Sequence, residues 1–370
     1  DLIANAPNYS STLGRVYLFY NDGSIPTTAA TADMIFAGEN TADGFGYRFV
    51  AGDLNADGKT DLVIGAGTYN TDYGRVYLYT FNDKVITGNA TDDKFGVSIK
   101  TGDLNADGKI DLVIGANGYS TNTGRAYIFY NDGSIPTTAA TADVTITGEA
   151  ASNYFGYALE IGDFNADGRI DLAIGASGYS SLTGRAYIFY NDGSIPTTAA
   201  TADVTITGEA GSDFGGSLVA GDFNSDSKVD LVIGAYGYSA STGRAYIFHN
   251  DGCIPTTAAT ADVTITGGAA SNRFGDYFTA GDFNSDGRID FAVNAYNYST
   301  DTGRAYIFYN DGSIPTTAAT ADVTITGETT STSFGISFTS GDFNSDARID
   351  LAVGADVYSS NTGRAYIFYN

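Results

Sequence analysis

The 370-residue sequence has no tryptophan, one cysteine, one histidine, one methionine and only 6 prolines. The single cysteine, Cys253, excludes an intramolecular disulfide, and other copies of the same segment carry Ser134, Ser194 or Ser313 at that position. No run of 18 apolar residues is present, so the sequence predicts no membrane insertion. No signal peptide is visible, but the chain begins within a repeat, so this says nothing about secretion.

Basic residues are also scarce, since 18 Lys and Arg stand against 43 Asp and Glu and give a formal net charge of −25. This acidity disfavours nucleic acid and anionic membranes as partners. Thirteen of the 18 basic residues occupy two positions of a repeat, so no basic patch is evident. Glycine, at 47 residues, is abundant beside 27 tyrosines and 22 phenylalanines, which is typical of many short strands joined by tight turns.

The chain is organised around a repeated nine-residue segment, typified by residues 163–171, which we call the Asp loop. Positions 1, 3, 5 and 9 carry Asp, Asn, Asp and Asp, and position 6 is usually glycine. Ca²⁺ takes about six to eight oxygen ligands and favours short loops that wrap around it, and the carbonyl of position 7 would add one more oxygen. Six copies start 50, 60, 59, 60 and 60 residues apart, and we predict up to six Ca²⁺ ions.

The predicted ligands are side-chain oxygens, except that Lys and Arg offer backbone carbonyls. They are Asp53, Asn55, Asp57, Lys59 and Asp61; Asp103, Asn105, Asp107, Lys109 and Asp111; Asp163, Asn165, Asp167, Arg169 and Asp171; Asp222, Asn224, Asp226, Lys228 and Asp230; Asp282, Asn284, Asp286, Arg288 and Asp290; Asp342, Asn344, Asp346, Arg348 and Asp350.

Two loops depart from the pattern at position 6, where Ser227 and Ala347 replace glycine. If that position needs a positive φ, both residues carry a backbone cost, and we expect weaker or strained sites there. The alternative interpretation of all six loops is Asx-rich turns between strands. Such turns would crowd three carboxylates without a counter-ion. Six bound Ca²⁺ ions would reduce the net charge to about −13.

Four short strands fill each period. In one copy, residues 155–162, 172–176, 184–190 and 204–207 have strand patterns, and the second and third are apolar on both faces. Strands of that kind must be covered on both faces, which favours an all-β propeller of four-stranded antiparallel blades. A solenoid is the rival fold, but it usually has shorter repeats and polar end caps.

Two further motifs flank each Asp loop. Phe-Gly opens each first strand, at residues 45, 95, 155, 214, 274 and 334, and Gly-Ala or Asn-Ala closes each second strand, at residues 65, 115, 175, 234, 294 and 354. With the loop between them, the whole chain resembles FG-GAP repeats, the unit of the integrin α-subunit propeller. The resemblance implies seven blades with calcium between the first and second strands. Asn at loop position 3 throughout is a departure, and no integrin-like inserted domain or sign of a partner subunit is present.

We expect one domain, residues 1–370, with repeats near 1–44, 45–94, 95–154, 155–213, 214–273, 274–333 and 334–370. The pattern gives 26 strands where seven full blades need 28, because the chain starts on a second strand and stops on a third. The other two strands belong to absent flanking sequence, the preferred interpretation, or come from another chain. An open sheet edge invites such pairing.

Strand direction places the Asp loops and polar loops such as 191–203 at one end of the blades. The loops near 177–180 and the linkers near 150–154 lie at the other end. The first end is nearly constant, although the copy at 81–85 lacks about ten polar-loop residues. The second end varies, with Asn117, Ser177, Tyr236, Tyr296 and Asp356 at one equivalent position. This variation suggests contact with a ligand, and neutral drift in exposed loops explains it equally well.

A tyrosine and an arginine recur at this variable end. The tyrosine could stack on a sugar, but packing at the blade corner is the preferred interpretation. The arginine could contact an anionic ligand, but pairing with an Asp or a carbonyl at the blade end is preferred. The tyrosines are Tyr69, Tyr119, Tyr179, Tyr238, Tyr298 and Tyr358, and the arginines are Arg75, Arg125, Arg185, Arg244, Arg304 and Arg364.

Nothing in the sequence predicts catalysis. His249, the only histidine, stands where other copies carry Tyr130, Tyr190 or Tyr309, and the clustered carboxylates are assigned to calcium. We therefore expect a non-catalytic adhesion or lectin-like module with an extracellular protein or glycan ligand. Millimolar calcium and weak sites are typical of extracellular modules, which favours an extracellular or cell-surface location. The alternative is a surface-layer or filament subunit that pairs with itself by strand exchange. Sequons at Asn8, Asn89 and Asn297 permit glycosylation but decide little.

Overall fold

The computed structural model describes residues 1–22, 25–80 and 83–370. In that part of the chain, 26 strands form seven antiparallel sheets, five with four strands and two, at the termini, with three. First strands of successive blades contact one another around a common axis. The predicted seven-bladed all-β propeller is therefore confirmed, including the incomplete terminal blades.

Each blade follows the same order from the axis outward. Blade 1 contains β1 Leu2–Ala6, β2 Arg15–Phe19 and β3 Met34–Ala37; blade 2 contains β4 Phe45–Gly52, β5 Asp61–Ala66, β6 Arg75–Tyr79 and β7 Lys84–Thr87; blade 3 contains β8 Phe95–Gly102, β9 Asp111–Ala116, β10 Arg125–Phe129 and β11 Val144–Thr147; blade 4 contains β12 Leu159–Gly162, β13 Asp171–Ala176, β14 Arg185–Phe189 and β15 Val204–Thr207; blade 5 contains β16 Ser217–Gly221, β17 Asp230–Ala235, β18 Arg244–Phe248 and β19 Val263–Thr266; blade 6 contains β20 Phe278–Gly281, β21 Asp290–Ala295, β22 Arg304–Phe308 and β23 Val323–Thr326; blade 7 contains β24 Ser337–Gly341, β25 Asp350–Ala355 and β26 Arg364–Phe368.

Short helical turns occupy two of the connections. Seven one-turn segments link second and third strands: α1 Tyr9–Thr12, α2 Tyr69–Asp72, α3 Tyr119–Asn122, α4 Tyr179–Leu182, α5 Tyr238–Ser241, α6 Tyr298–Asp301 and α7 Tyr358–Asn361. Single 3₁₀ turns lie in the polar loops at Ala29–Thr31, Ala139–Thr141, Ala199–Thr201, Ala258–Thr260 and Ala318–Thr320. Phe81 and Asn82 of the shortened polar loop lie outside the described residues.

The first strands of blades 4 to 7 begin later than the sequence pattern indicates, since they start at Leu159, Ser217, Phe278 and Ser337 and not at the Phe-Gly pairs. β12, for example, starts at Leu159 rather than at residue 155, because the left-handed backbone at the Phe-Gly glycine, with φ of 85° at Gly156, interrupts the strand pairing. Phe155 pairs instead with Gly124 of the preceding blade through a single parallel bridge. β4 and β8 do start at their phenylalanines, but each carries a register shift directly afterwards.

Neighbouring blades pack through the second and third strands and the Phe-Gly phenylalanine. Phe155 is fully buried between blades and meets Tyr187 edge-on, with ring centroids 5.4 Å apart. Burying one such side chain stabilises the fold by roughly 1.5–3 kcal/mol. Close approach requires a glycine beside Phe155, since a Cβ on Gly124 would lie 2.0 Å from the carbonyl oxygen of Phe155.

Blades 7 and 1 also meet, so the ring closes within this chain. Leu2 and Phe19 of blade 1 pack with Phe343 of blade 7, and Asn21 donates from Nδ2 to Ser345 Oγ at 3.0 Å. A cavity of about 440 Å³ remains on the axial side of β1, lined by residues 1–3, 49–51 and 339–343. This is the place that a first strand holds in the four-stranded blades.

Candidate functional site

The six Asp loops lie together at one end of the propeller, which we call the Asp-loop end. In the loop at 163–171, Asp163 accepts the backbone N–H groups of Asp167 at 3.0 Å and Gly168 at 2.9 Å. Asp167 in turn accepts the N–H of Arg169 at 2.9 Å. The same three bonds recur in the other five loops. They curl the backbone and hold the carboxylates of positions 1 and 5 against it.

The curl needs left-handed backbone at two positions. Glycine at position 6 has φ near 81–86° in four loops, and Ser227 and Ala347 adopt φ of 69° and 68° there. The expectation that position 6 needs a positive φ is thus confirmed. Position 4 is also left-handed in all six loops, with φ from 56° to 63°, although it is Ala or Ser throughout. Sequence reasoning missed this second strained position, because Ala and Ser carry no signal for it.

The aspartate at position 9 is buried and ties the loop to its blade. Asp171 accepts the N–H of Phe164 at 2.9 Å and that of Asn191 at 2.8 Å. Burial raises the pKa of Asp171 to about 6, although those N–H groups act in the opposite direction. Asp1 occupies the same position in blade 1, since it accepts the N–H of Asn21 at 2.9 Å. Asp1 therefore makes the contact that position 9 makes in the other blades.

The donor set of each loop fits a hard cation. Carboxylate, amide and carbonyl oxygens are the ligands that Ca²⁺ prefers, and the loops hold no Cys or His that would favour zinc. Yet within 1–22, 25–80 and 83–370, no three His, Cys, Asp or Glu side chains are gathered as in a metal-binding cluster. Asn165 Nδ2 also donates to Asp167 Oδ2 at 3.1 Å. An ion would have to turn these oxygens inward, and calcium stays a prediction.

The opposite end, which we call the linker end, carries the repeated tyrosine and arginine. The Arg185 guanidinium lies 3.6 Å from the ring centroid of Tyr179 and 3.1 Å from Glu149 of the preceding linker. All seven blades show this stack, at 3.6–3.8 Å. The prediction that the tyrosine packs at the blade corner is confirmed, because cation and ring satisfy each other. The arginine has the predicted structural role, but its acidic partner is Glu149 and not an Asp or a carbonyl.

A second group at the linker end joins residues that are far apart in the sequence. Arg48 of blade 2 donates to the hydroxyl of Tyr277 in blade 6 at 3.1 Å and lies 5.3 Å from its ring centroid. These blades are not neighbours, so the contact crosses the propeller axis. Beside it, the Arg273 guanidinium lies 4.6 Å from the ring of Tyr236 and 5.5 Å from that of Tyr296. We call these residues, with Tyr157, Asp213 and Asp276, the axial cluster.

Charge in the axial cluster is nearly balanced but poorly solvated. Burial raises the pKa of Asp276 to about 6, against the effects of Arg273, Arg48 and a hydrogen bond from Tyr296. Burial likewise raises the pKa of Tyr157 to about 12. Arg273 Nε is buried and has no hydrogen-bond partner among the described residues. The cluster therefore offers rings, donors and acceptors in a small, half-buried area.

Blade 6 is rebuilt locally beneath this cluster. Asn294 stands where the second strands of blades 2–5 and 7 carry glycine and where blade 1 carries Asn5, and it is fully buried. Its Oδ1 accepts the N–H groups of Asp276 at 3.1 Å and Tyr277 at 2.9 Å, while its Nδ2 donates to Gly335 at 2.9 Å. The sequence showed Asn-Ala in place of Gly-Ala but gave no sign of what the amide would bind.

The remaining singular residues have ordinary roles. The backbone N–H of His249 donates to Asp262, as the equivalent tyrosine N–H groups of other blades do to their aspartates. Cys253 is exposed and free.

No helix of the described chain is long and apolar enough to cross a membrane.

Comparison with known proteins agrees with this architecture. The FG-GAP repeat model matches residues 45–79, 214–248 and 334–368, and an FG-GAP-like repeat model matches 103–174. Four segments of this β-propeller thus match FG-GAP repeat models, and the chain is similar to integrin α subunits. Integrin alpha-PS2 of Drosophila melanogaster is 33% identical over 243 residues, which are 60% of this chain and 16% of that protein.

Two further relatives share shorter segments. Integrin alpha-X of Homo sapiens is 34% identical over 160 residues, 40% of this chain and 14% of that protein. Phosphatidylinositol-glycan-specific phospholipase D of Rattus norvegicus is 35% identical over 151 residues, 37% of this chain and 18% of that protein. The chain thus spans less than a fifth of each of these relatives.

Proposed function

We propose that this propeller is a non-catalytic, calcium-stabilised extracellular module for adhesion or lectin-like binding, and that its ligand meets the linker end. The axial cluster is the observation that carries the proposal. The repeats are otherwise nearly identical, and the cluster gathers residues at which blades 2, 4, 5 and 6 differ from the common sequence into one area on the axis. Tyrosine and arginine are among the residues enriched at the centres of binding sites, and no described residue supplies Arg273 Nε with an acceptor.

Calcium would act at the other end. Each loop would hold an ion with the oxygens of positions 1, 3, 5, 7 and 9, and the ion would neutralise carboxylates that otherwise repel one another. Similarity to integrin α subunits supports the extracellular location and the absence of catalysis. The segment shared with the phospholipase D covers a small part of that enzyme, and the Asp-loop carboxylates would be engaged by metal.

Binding of the purified chain to immobilised glycans and extracellular-matrix proteins, in calcium, tests the proposal. We expect Tyr277→Ala and Arg273→Ala to reduce binding at least about tenfold, as hot-spot truncations do. Tyr20→Ala, an exposed tyrosine 43% accessible at the Asp-loop end, is the matched control and should bind like wild type. Equal loss in all three variants, or none in the first two, would contradict a ligand at the axial cluster.

The structural alternative rests on the cavity beside β1, where a strand from a second copy would fit. Light scattering separates the two functions. A calcium-dependent monomer agrees with closure between blades 7 and 1, whereas an assembly that grows with concentration would favour strand exchange.

A further inference from the structure

One buried asparagine links the Asp loops of neighbouring blades. Asn310 follows β22, and its backbone N–H donates to Asp290 Oδ1 of its own blade at 2.8 Å. Its side chain reaches the preceding blade, where Nδ2 donates to the carbonyl of Asp222 at 3.3 Å and to Ser225 Oγ at 3.2 Å. A single residue thus contacts the last position of one loop and the first and fourth positions of another.

The same bridge recurs around the ring. Equivalent asparagines donate from the backbone to the position-9 aspartate of their own blade and from Nδ2 to the preceding loop, and they are Asn21, Asn131, Asn191, Asn250 and Asn370. Asn131, Asn191, Asn250 and Asn310 are 3–7% exposed. Breaking a buried hydrogen bond leaves an unsatisfied polar group, so each bridge ties the geometry of two loops together.

We propose that these asparagines are positioning residues that couple calcium binding in adjacent loops, so that filling one loop raises the affinity of the next. The proposal rests on the assignment of calcium to the loops. An ion that orders loop 282–290 fixes Asp290 and, through it, Asn310. Part of the conformational entropy that loop 222–230 loses on binding calcium is then already lost before its own ion binds. The result is positive coupling without a large structural change. Coupling of this kind is reciprocal.

Hydrogen exchange of peptides that cover residues 222–230 and 282–290, followed during a calcium titration, gives a midpoint for each loop. Asp286→Ala disables the blade 6 loop, and we expect it to weaken calcium binding in loop 222–230 by about two- to tenfold, the equivalent of one buried hydrogen bond. In an Asn310→Asp background the shift should vanish. That change removes the Nδ2 donor but keeps the backbone bond to Asp290. Ser313→Ala, exposed in the same polar loop, should leave the shift intact.

Two controls keep the outcomes distinct. Disabling the blade 3 loop with Asp107→Ala should not shift loop 282–290, because no single bridge joins them. If Asn310→Asp folds poorly, Asn310→Ala replaces it, because it removes the same donor.

If calcium protects neither loop from exchange, the metal assignment fails and this proposal fails with it. If calcium protects both loops but their midpoints are independent in wild type, calcium stands and the coupling is overturned.

Discussion

The two ends of the propeller are built on opposite principles. At the Asp-loop end, six loops repeat one set of backbone hydrogen bonds, one pair of left-handed positions and one asparagine bridge. At the linker end, the corner stack repeats in every blade, but the residues near the axis differ from blade to blade. Repetition at the first end suits a structural task carried out identically in each blade. Variation at the second end allows a single, asymmetric cluster to form on the axis.

Calcium removal should affect the Asp-loop end most strongly. At calcium a hundredfold above Kd, each occupied loop contributes about 2.7 kcal/mol to stability. Without the ions, 18 carboxylates lie close together. We expect chelator to lower the melting temperature by at least about 10 °C, measured by calorimetry. Magnesium is the control, since it is bound less readily by such loops. An unchanged melt in chelator would contradict the calcium assignment.

The next largest effect should come from the buried amide at the linker end. Asn294→Gly removes the acceptor of two N–H groups and the donor to Gly335, and should cost about 2–3 kcal/mol in denaturant unfolding. The reverse change, Gly234→Asn, should cost at least as much, because a Cβ there would lie 2.0 Å from the carbonyl oxygen of Gly275. If neither substitution lowered the free energy of unfolding, blades 5 and 6 would not differ structurally at this end, and the role assigned to Asn294 would be wrong.

The axial cluster should also give a pH signature. The pKa of Asp276 is raised to about 6 in the fold, against about 3.9 in an unfolded chain. Its protonation therefore contributes stability that is complete below pH ~4 and lost as pH rises through ~6. Asp276→Asn should accordingly gain about 1–2 kcal/mol on wild type between pH 4 and pH 7. Urea unfolding at both pH values measures this gain. Asp311→Asn, an exposed control, should show no such trend.

The smallest predicted effect lies in the two departures at loop position 6. Ser227→Gly and Ala347→Gly should each stabilise the protein by about 0.5–1 kcal/mol, since φ near 68–69° is costly for residues with a Cβ. Gly168→Ala is the converse control. A Cβ at Gly168 meets nothing within 4 Å, so its cost of about 1 kcal/mol would be purely conformational. Thermal melts in saturating calcium would detect the three changes.

Much of the fold was readable from the chain. The Phe-Gly, Asp-loop and Gly-Ala motifs, represented by Phe155, residues 163–171 and Gly175, recur at one spacing. The strands between them are apolar on both faces, and few architectures cover both faces of every strand in such a repeat. The starts of β12 and of the first strands in blades 5 to 7 were predicted wrongly, because the left-handed backbone of the Phe-Gly glycine, as at Gly156, interrupts the strand pairing. The left-handed turns such as α4 could not be predicted either, because Ser180 and Ser181, and not glycines, adopt φ of 47° and 57° there.

The sequence therefore established the units: seven blades, their strand order, the composition of the Asp loops and the two ends. These follow from local pattern, since side-chain alternation and turn residues act over a few positions. The contacts between units arose only on folding. Arg48 reaches Tyr277 across 229 positions, and Asn310 reaches Asp222 across 88. Local patterns act over a few positions and do not encode such pairs. Packing of neighbouring blades brings Asn310 to Asp222, and closure of the ring brings Arg48 to Tyr277.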